Sequence, residues 1–273
     1  MKPALGQVCS LHAPFDKDLE DYAAGHCHAI DVWLTKLEIY LQSHSCDDVR
    51  GLLEQYEMQV PAASFQGGLL TSQGPARELA WELFGARLDL CRELAIETLV
   101  VSCDVSAPLG ERDLERTRTS LQQAAHQAGE QGVRVALELQ ARAAFGNNLQ
   151  TAAVLVAEVA SPALGLCLDA FHFHVGPSKT EDLIYLTKEN LFHVQLCDLA
   201  DIPREFATDA DRILPGDGDI PLKTIVNYLA EMEYDGWVAV ELMNPRIWQI
   251  PPRQFGEIGM TALRKVLGQA SMD

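Results

Sequence analysis

Short apolar runs recur along the chain, and between them lie longer stretches whose apolar residues return every three or four positions. The first pattern predicts buried strands and the second amphipathic helices. Strands are expected at "GQVCSLH" (6–12), "AIDVWL" (29–34), "QVPAAS" (59–64), "ETLVVSCD" (97–104), "VRVALELQ" (133–140), "LGLCLDAF" (164–171), "LFHVQLCD" (191–198) and "GWVAVELM" (236–243). Helical periodicity covers 16–28, 45–57, 74–95, 114–132, 149–160, 180–190, 221–233 and 255–269. Strands that alternate with helices imply right-handed crossovers and a parallel sheet. Eight such pairs within 273 residues predict a (β/α)8 TIM barrel, with an open doubly wound sheet as the arrangement that shares this periodicity. No Pro/Gly/Ser-rich linker interrupts the chain, so a single domain over 1–273 is expected. The connection 199–220, after the seventh strand, is far longer than the roughly two to six residues usual for such loops. Length of that kind points to function.

Composition narrows the chemistry. Thirty-nine acidic against 21 basic residues give a formal charge of −18, which opposes nucleic acid and anionic membranes as partners, because phosphate is bound by clustered Lys and Arg. Seven cysteines without a CxxC pair read as reduced thiols rather than a disulfide framework or zinc finger. With no apolar leader and no run near about 18 apolar residues, the expectation is a cytoplasmic protein. The outer helices of a barrel could pair subunits, so a homo-oligomer is an open expectation.

In a TIM barrel the carboxyl ends of the strands surround the active site. Three carboxylates fall there: Glu138 ending "VRVALE", Asp169 ending "LGLCLD" and Glu241 ending "GWVAVE". Arg134, Ala136 and Glu138 share one strand face at a period of two. Buried carboxylates repel one another and would otherwise take up protons, whereas a divalent cation among them offsets desolvation and repulsion together. An acid at a strand end can instead cap the next helix or pair with a base. In "FHVQLCD" either Gln195 or His193 could complete the shell; Gln195 is favoured as ligand and His193 as its orienter or a packed core histidine. Three carboxylates and an amide oxygen suit Mg2+ or Mn2+, and a histidine would move the balance toward Mn2+, Co2+ or Zn2+. Lys36, in "VWLTKLE", could reach the barrel rim from the second strand, but a solvated lysine at a helix start is the favoured expectation.

Glu138, "LDAFHF", "FHVQLCD", "PREFATDADRILPGDGDIPL" and "YDGWVAVELMNPRIW" together resemble the xylose-isomerase-like barrels, the sugar isomerases and epimerases and their relatives, and most of all the branch acting on ketoinositols. The resemblance implies a metal held by Glu138, Asp169, Gln195 and Glu241. It also implies Glu138 and Glu241 as the catalytic proton carriers, and His172 and Arg212 as substrate-binding residues. His174 has no counterpart in it. Many relatives carry histidine where Gln195 stands, a departure that bears on metal preference. The implied reaction is isomerisation or epimerisation of a small polyhydroxylated carbonyl compound through an enediolate. Dehydroshikimate dehydratases, which resemble the chain in the barrel and the "PG.GD.PL" loop, offer a lyase as the alternative. An abasic-site endonuclease, from the nucleic-acid branch of this fold, is opposed by the charge.

Overall fold

The computed structural model describes residues 1–269. Eight strands close into a barrel in chain order: β1 Lys2–Gly6, β2 Ala29–Trp33, β3 Gln59–Gln66, β4 Thr98–Ser102, β5 Arg134–Glu138, β6 Leu164–Asp169, β7 Leu191–Leu196 and β8 Trp237–Val240. The helices are α1 Phe15–Ala24, α2 Leu34–Tyr40, α3 Cys46–Gln55, α4 Gly74–Glu93, α5 Glu111–Glu130, α6 Leu149–Val159, α7 Ala170–Val175, α8 Leu222–Glu231 and α9 Pro252–Val266. The barrel expected from the alternation is therefore the observed fold.

Internal contacts group the chain into two compact units, Met1–Pro61 with the segment from Val194 onward, and Ala62–His193. In the second unit, β4 pairs in parallel with β5 and β5 with β6, setting Ser102 opposite Glu138 and Glu138 opposite Cys167. Ala62, Val100, Ala136 and Cys167 pack there as a buried apolar cluster. Because strand side chains alternate, the residues two places onward continue the same faces toward the carboxyl ends. In the first unit Ala4, Ala29 and Ala239 form the equivalent cluster, and Gln195 is in register with Ala239.

Helix starts follow local chemistry. Ser45 caps α3 by accepting the Asp48 N–H, while the Asp48 carboxylate accepts the Ser45 N–H at 2.7 Å, a reciprocal box that satisfies two donors the helix leaves open. Asn148 caps α6 through the Thr151 N–H at 3.0 Å.

Four expectations are corrected. The first strand runs over Lys2–Gly6 rather than 6–12, and Gln7–Ser10 coil into a 3-10 turn. The turn is held because the carbonyls of Gln7 and Ser10 accept from the Lys36 ammonium, and the Gln7 Oε1 accepts the Trp33 N–H. Strand six stops at Asp169, whose carboxylate accepts the His172 N–H at 3.0 Å and starts the short helix α7. The segment 180–190 is a 3-10 turn over Thr180–Tyr185, with no α-helix. Lys36 is 7% exposed rather than solvated, ion-paired to Asp18.

Candidate functional site

Within the Ala62–His193 unit, the ends of β5 and β6 bring Glu138, Asp169 and His172 together, with one potential ligand atom from each lying within 4.8 Å of the others and all three residues buried. The Ser102 hydroxyl donates to Glu138 Oε2 at 3.3 Å, and the Gln140 amide donates to the same oxygen. Both are neutral donors, which orient the carboxylate. Asp169 takes two roles that sequence reasoning had set against each other: one oxygen caps α7, and the side chain stands in the cluster.

His172 reaches the cluster because α7 begins on the residue after Asp169. The Ala141 N–H points at its Nδ1 at 3.4 Å, which places the proton of a neutral ring on Nε2. A ring in that tautomer presents a donor, suited to an oxygen of a bound molecule. His174, from the same helix, is half-buried and stands outside the cluster.

In the other unit the centre is Glu241, one residue past β8 and 6% exposed. Gln195 donates its amide to Glu241 Oε1 at 2.9 Å, and Arg212 meets Oε2 through Nη1 at 2.9 Å. Arg212 is itself 1% exposed and bonded to Asp209 at 2.8 Å. Its main-chain carbonyl accepts from Asn244 at 2.9 Å, so both the peptide and the guanidinium are fixed. His193, the alternative to Gln195, is buried.

The long 199–220 connection earns its length by holding Arg212. Asp198 collects the N–H groups of Leu199, Gly216 and Ile220 at 2.9, 3.0 and 2.9 Å, and its main chain bridges to Ile213. Gly216 has φ +92°, and a Cβ on Gly218 would lie 2.2 Å from the Leu199 carbonyl oxygen. The glycines of "PGDGD" therefore answer a left-handed turn and a backbone approach that no side chain survives.

Sequence reasoning missed Ser102, Gln140, Asp198, Asp209 and Asn244. Gln140 follows Glu138 by two, a spacing that could have flagged it. Asp209 precedes Arg212 by three, an equally local spacing, whereas Ser102 and Asn244 come from separate elements and Asp198 gathers N–H groups up to 22 residues away.

The donor chemistry of Glu138 and Asp169, two carboxylates buried at strand ends with His172 beside them on α7, fits a divalent cation. A closed parallel barrel with its polar groups at strand carboxyl ends defines the class as a TIM-barrel protein. Residues 23–265 match the family described as "Xylose isomerase-like TIM barrel", and the chain belongs to that family. An inosose isomerase of Halalkalibacterium halodurans is 29% identical over 257 residues, 92% of this chain and 90% of that protein. A 3-dehydroshikimate dehydratase of Pseudomonas putida is 27% identical over 183 residues, 65% of this chain and 28% of that protein. Among solved structures, an IolI protein with a bound zinc atom superposes with a TM-score of 0.92 at 24% identity over the whole of both chains.

Proposed function

We propose that the protein is a divalent-metal-dependent isomerase or epimerase of a keto-sugar or ketoinositol. The observation that carries the reading is the buried Glu138–Asp169–His172 cluster. The near full-length likeness to an inosose isomerase supports ketoinositol as the first substrate to try, and the zinc in the superposing IolI structure supports a metal.

In this reading Glu138, Asp169, Gln195 and Glu241 hold the ion. Bound there, a divalent cation supplies Lewis acidity that polarises a carbonyl and acidifies the adjacent C–H. Mg2+ and Mn2+ suit the oxygen-rich set, and Co2+ and Zn2+ remain in the test.

The chain's own residues divide the proton work. Glu138, oriented by Ser102 and Gln140, takes a proton from the carbon beside the carbonyl. Glu241, oriented by Gln195 and Arg212, serves the second proton position. Return of a proton to the neighbouring carbon of the enediolate moves the carbonyl, and return to the opposite face of the first carbon inverts it. The Nε2–H of His172 holds a substrate oxygen in register. Arg212 keeps Glu241 charged and aimed, and contact with a substrate oxygen is the further role the family resemblance implies.

The test is proton exchange from deuterated water into ketoinositol and keto-sugars with Mg2+, Mn2+, Co2+ or Zn2+, followed by NMR. Metal-dependent deuterium uptake at the carbon beside the carbonyl is expected. Uptake that ignores chelators would remove the metal from the mechanism. The likeness to the dehydratase adds dehydroshikimate to the panel; an ultraviolet-absorbing aromatic product would replace isomerase by lyase.

A further inference from the structure

At the end of β8 a side chain takes over from a neighbouring strand. The pairing of β1 with β8 reaches Leu5 opposite Val240, and one residue later β1 ends and gives way to the 3-10 turn Gln7–Ser10. From that turn the Cys9 thiol donates to the Val240 carbonyl at 3.4 Å and accepts the Leu242 N–H at 3.2 Å. Cys9 is fully buried. The residue between those two main-chain groups is Glu241, whose own N–H donates to the Leu196 carbonyl of β7 at 3.1 Å.

The two rigid peptide planes that flank a Cα set its φ and ψ, and with them the direction in which the side chain leaves. Cys9 holds one group on each of the two planes around Glu241, so a single thiol fixes the backbone from which that carboxylate hangs. The turn that carries Cys9 is anchored in its turn. Lys36 donates to the carbonyls of Gln7 and Ser10 at 3.4 and 2.8 Å, and the Trp248 indole N–H donates to the Val8 carbonyl at 2.8 Å. A short 3-10 turn has poor internal hydrogen bonds, so these side chains set where the thiol stands.

We propose that Cys9 is a positioning residue for Glu241, its thiol standing where a neighbouring strand would otherwise pair and aiming the carboxylate at the reacting centre. The proposal rests on the isomerase reading for the proton that Glu241 moves. Bonds to sulfur are weak. A reacting group displaced by about 1 Å, however, costs on the order of 10²-fold in rate, so weak bonds at this place have a large lever.

The test compares wild type with Cys9→Ala, which removes both bonds, Cys9→Val, which refills the space without restoring them, and Cys9→Ser, which returns a donor and an acceptor. Cys27→Ala is the control, because Cys27 is equally buried and its thiol donates to the Ala29 carbonyl at 3.1 Å. Cys9→Ala and Cys9→Val are expected to lower kcat on ketoinositol about tenfold with KM within about twofold, the split left by a contact that serves the transition state. Cys9→Ser should recover kcat to within about threefold of wild type, since a hydroxyl both donates and accepts. In calorimetric titration of the metal-free proteins, Cys9→Ala and Cys9→Val should bind Mn2+ about threefold to tenfold more weakly, the low end for a residue that orients a metal ligand. Cys27→Ala should leave kcat and Mn2+ affinity unchanged. A wild-type kcat in both Cys9→Ala and Cys9→Val, a loss that Cys9→Ser shares in full, or an equal loss in Cys27→Ala would each overturn the positioning role. Wild-type protein that fails to enolise ketoinositol would instead overturn the isomerase reading, and the Mn2+ titrations would still decide whether Cys9 holds Glu241 in place.

Discussion

Glu138 and Glu241 end strands in the same way, yet their surroundings differ in kind. Glu138 is met by a serine hydroxyl and a glutamine amide, and Asp169 of the same cluster accepts a main-chain N–H. Glu241 is met by a glutamine amide and by a guanidinium that is 1% exposed. Neutral donors orient a carboxylate and leave its charge for another cation, whereas a buried arginine neutralises it in place. In the proposed mechanism the contrast gives Glu138 and Asp169 the stronger pull on the metal. Glu241 is a carboxylate already balanced by an arginine.

The largest effects should come from breaking either carboxylate. Glu138→Gln and Glu241→Gln should each lower turnover by about 10²–10⁴-fold, the usual worth of a proton-transferring group. Metal binding should separate them. In calorimetric titration with Mn2+, Glu138→Gln should lose clearly more affinity than Glu241→Gln, because Glu241 has a guanidinium balancing it at 2.9 Å. Equal losses would erase the distinction, and wild-type turnover in Glu241→Gln would sink the metal-centred mechanism.

Arg212→Met sharpens the comparison from the other side. Removing one member of a buried ion pair costs about 3–5 kcal/mol, since the remaining charge is stranded. The metal-free variant should therefore denature at lower urea. Added Mn2+ should restore more stability to it than to wild type, because the ion then takes over the balancing of Glu241. Identical metal-induced shifts in the two proteins would show that Arg212 and the ion do not share that carboxylate.

A third buried charge shows what the comparison looks like without a site. Asp18 accepts from Lys36 and, at 2.8 Å, from the Ser10 hydroxyl. Burial pushes the Asp18 carboxyl up to about 7, against the pull of Lys36 in the opposite direction. A carboxyl raised in the folded protein favours folding in its protonated form. That contribution is complete below its unfolded value near 4 and fades as pH rises through about 7. Lys36→Met should cost about 3 kcal/mol at pH 8, where Asp18 would be a lone buried anion, and distinctly less at pH 5, where it can take up a proton. Urea melts at the two pH values measure the difference. A deficit independent of pH would mean that Asp18 stays ionised throughout.

These residues also mark how far the chain could be read before folding. Periodicity located every strand from Ala29 onward to within a few residues, and alternation along "VRVALE" put Glu138 on the face it occupies, because both signals are local. The start of the chain misled because Gln7–Ser10 is curled by Lys36, a residue 29 positions from Gln7. Lys36 looked solvated for the same reason: its partner Asp18 sits on another helix, 18 residues away. The motif "PGDGD" was visible as unusual, but its cause, the Asp198 carboxylate gathering three N–H groups, is a tertiary contact. Arg212 was singled out by resemblance to a family, and its hold on Glu241, 29 residues on, could not be read from spacing.

The smallest expected effect tests the neutral half of the comparison. Ser102 donates to Glu138 at 3.3 Å, a long bond between a neutral donor and a carboxylate that Gln140 also orients. Because the charge on Glu138 does not depend on Ser102, Ser102→Ala should leave Mn2+ affinity within about twofold of wild type and lower kcat by only about threefold to tenfold, in line with about 1 kcal/mol for one such bond. A loss as large as that of Glu138→Gln would show that Ser102 does more than orient its neighbour.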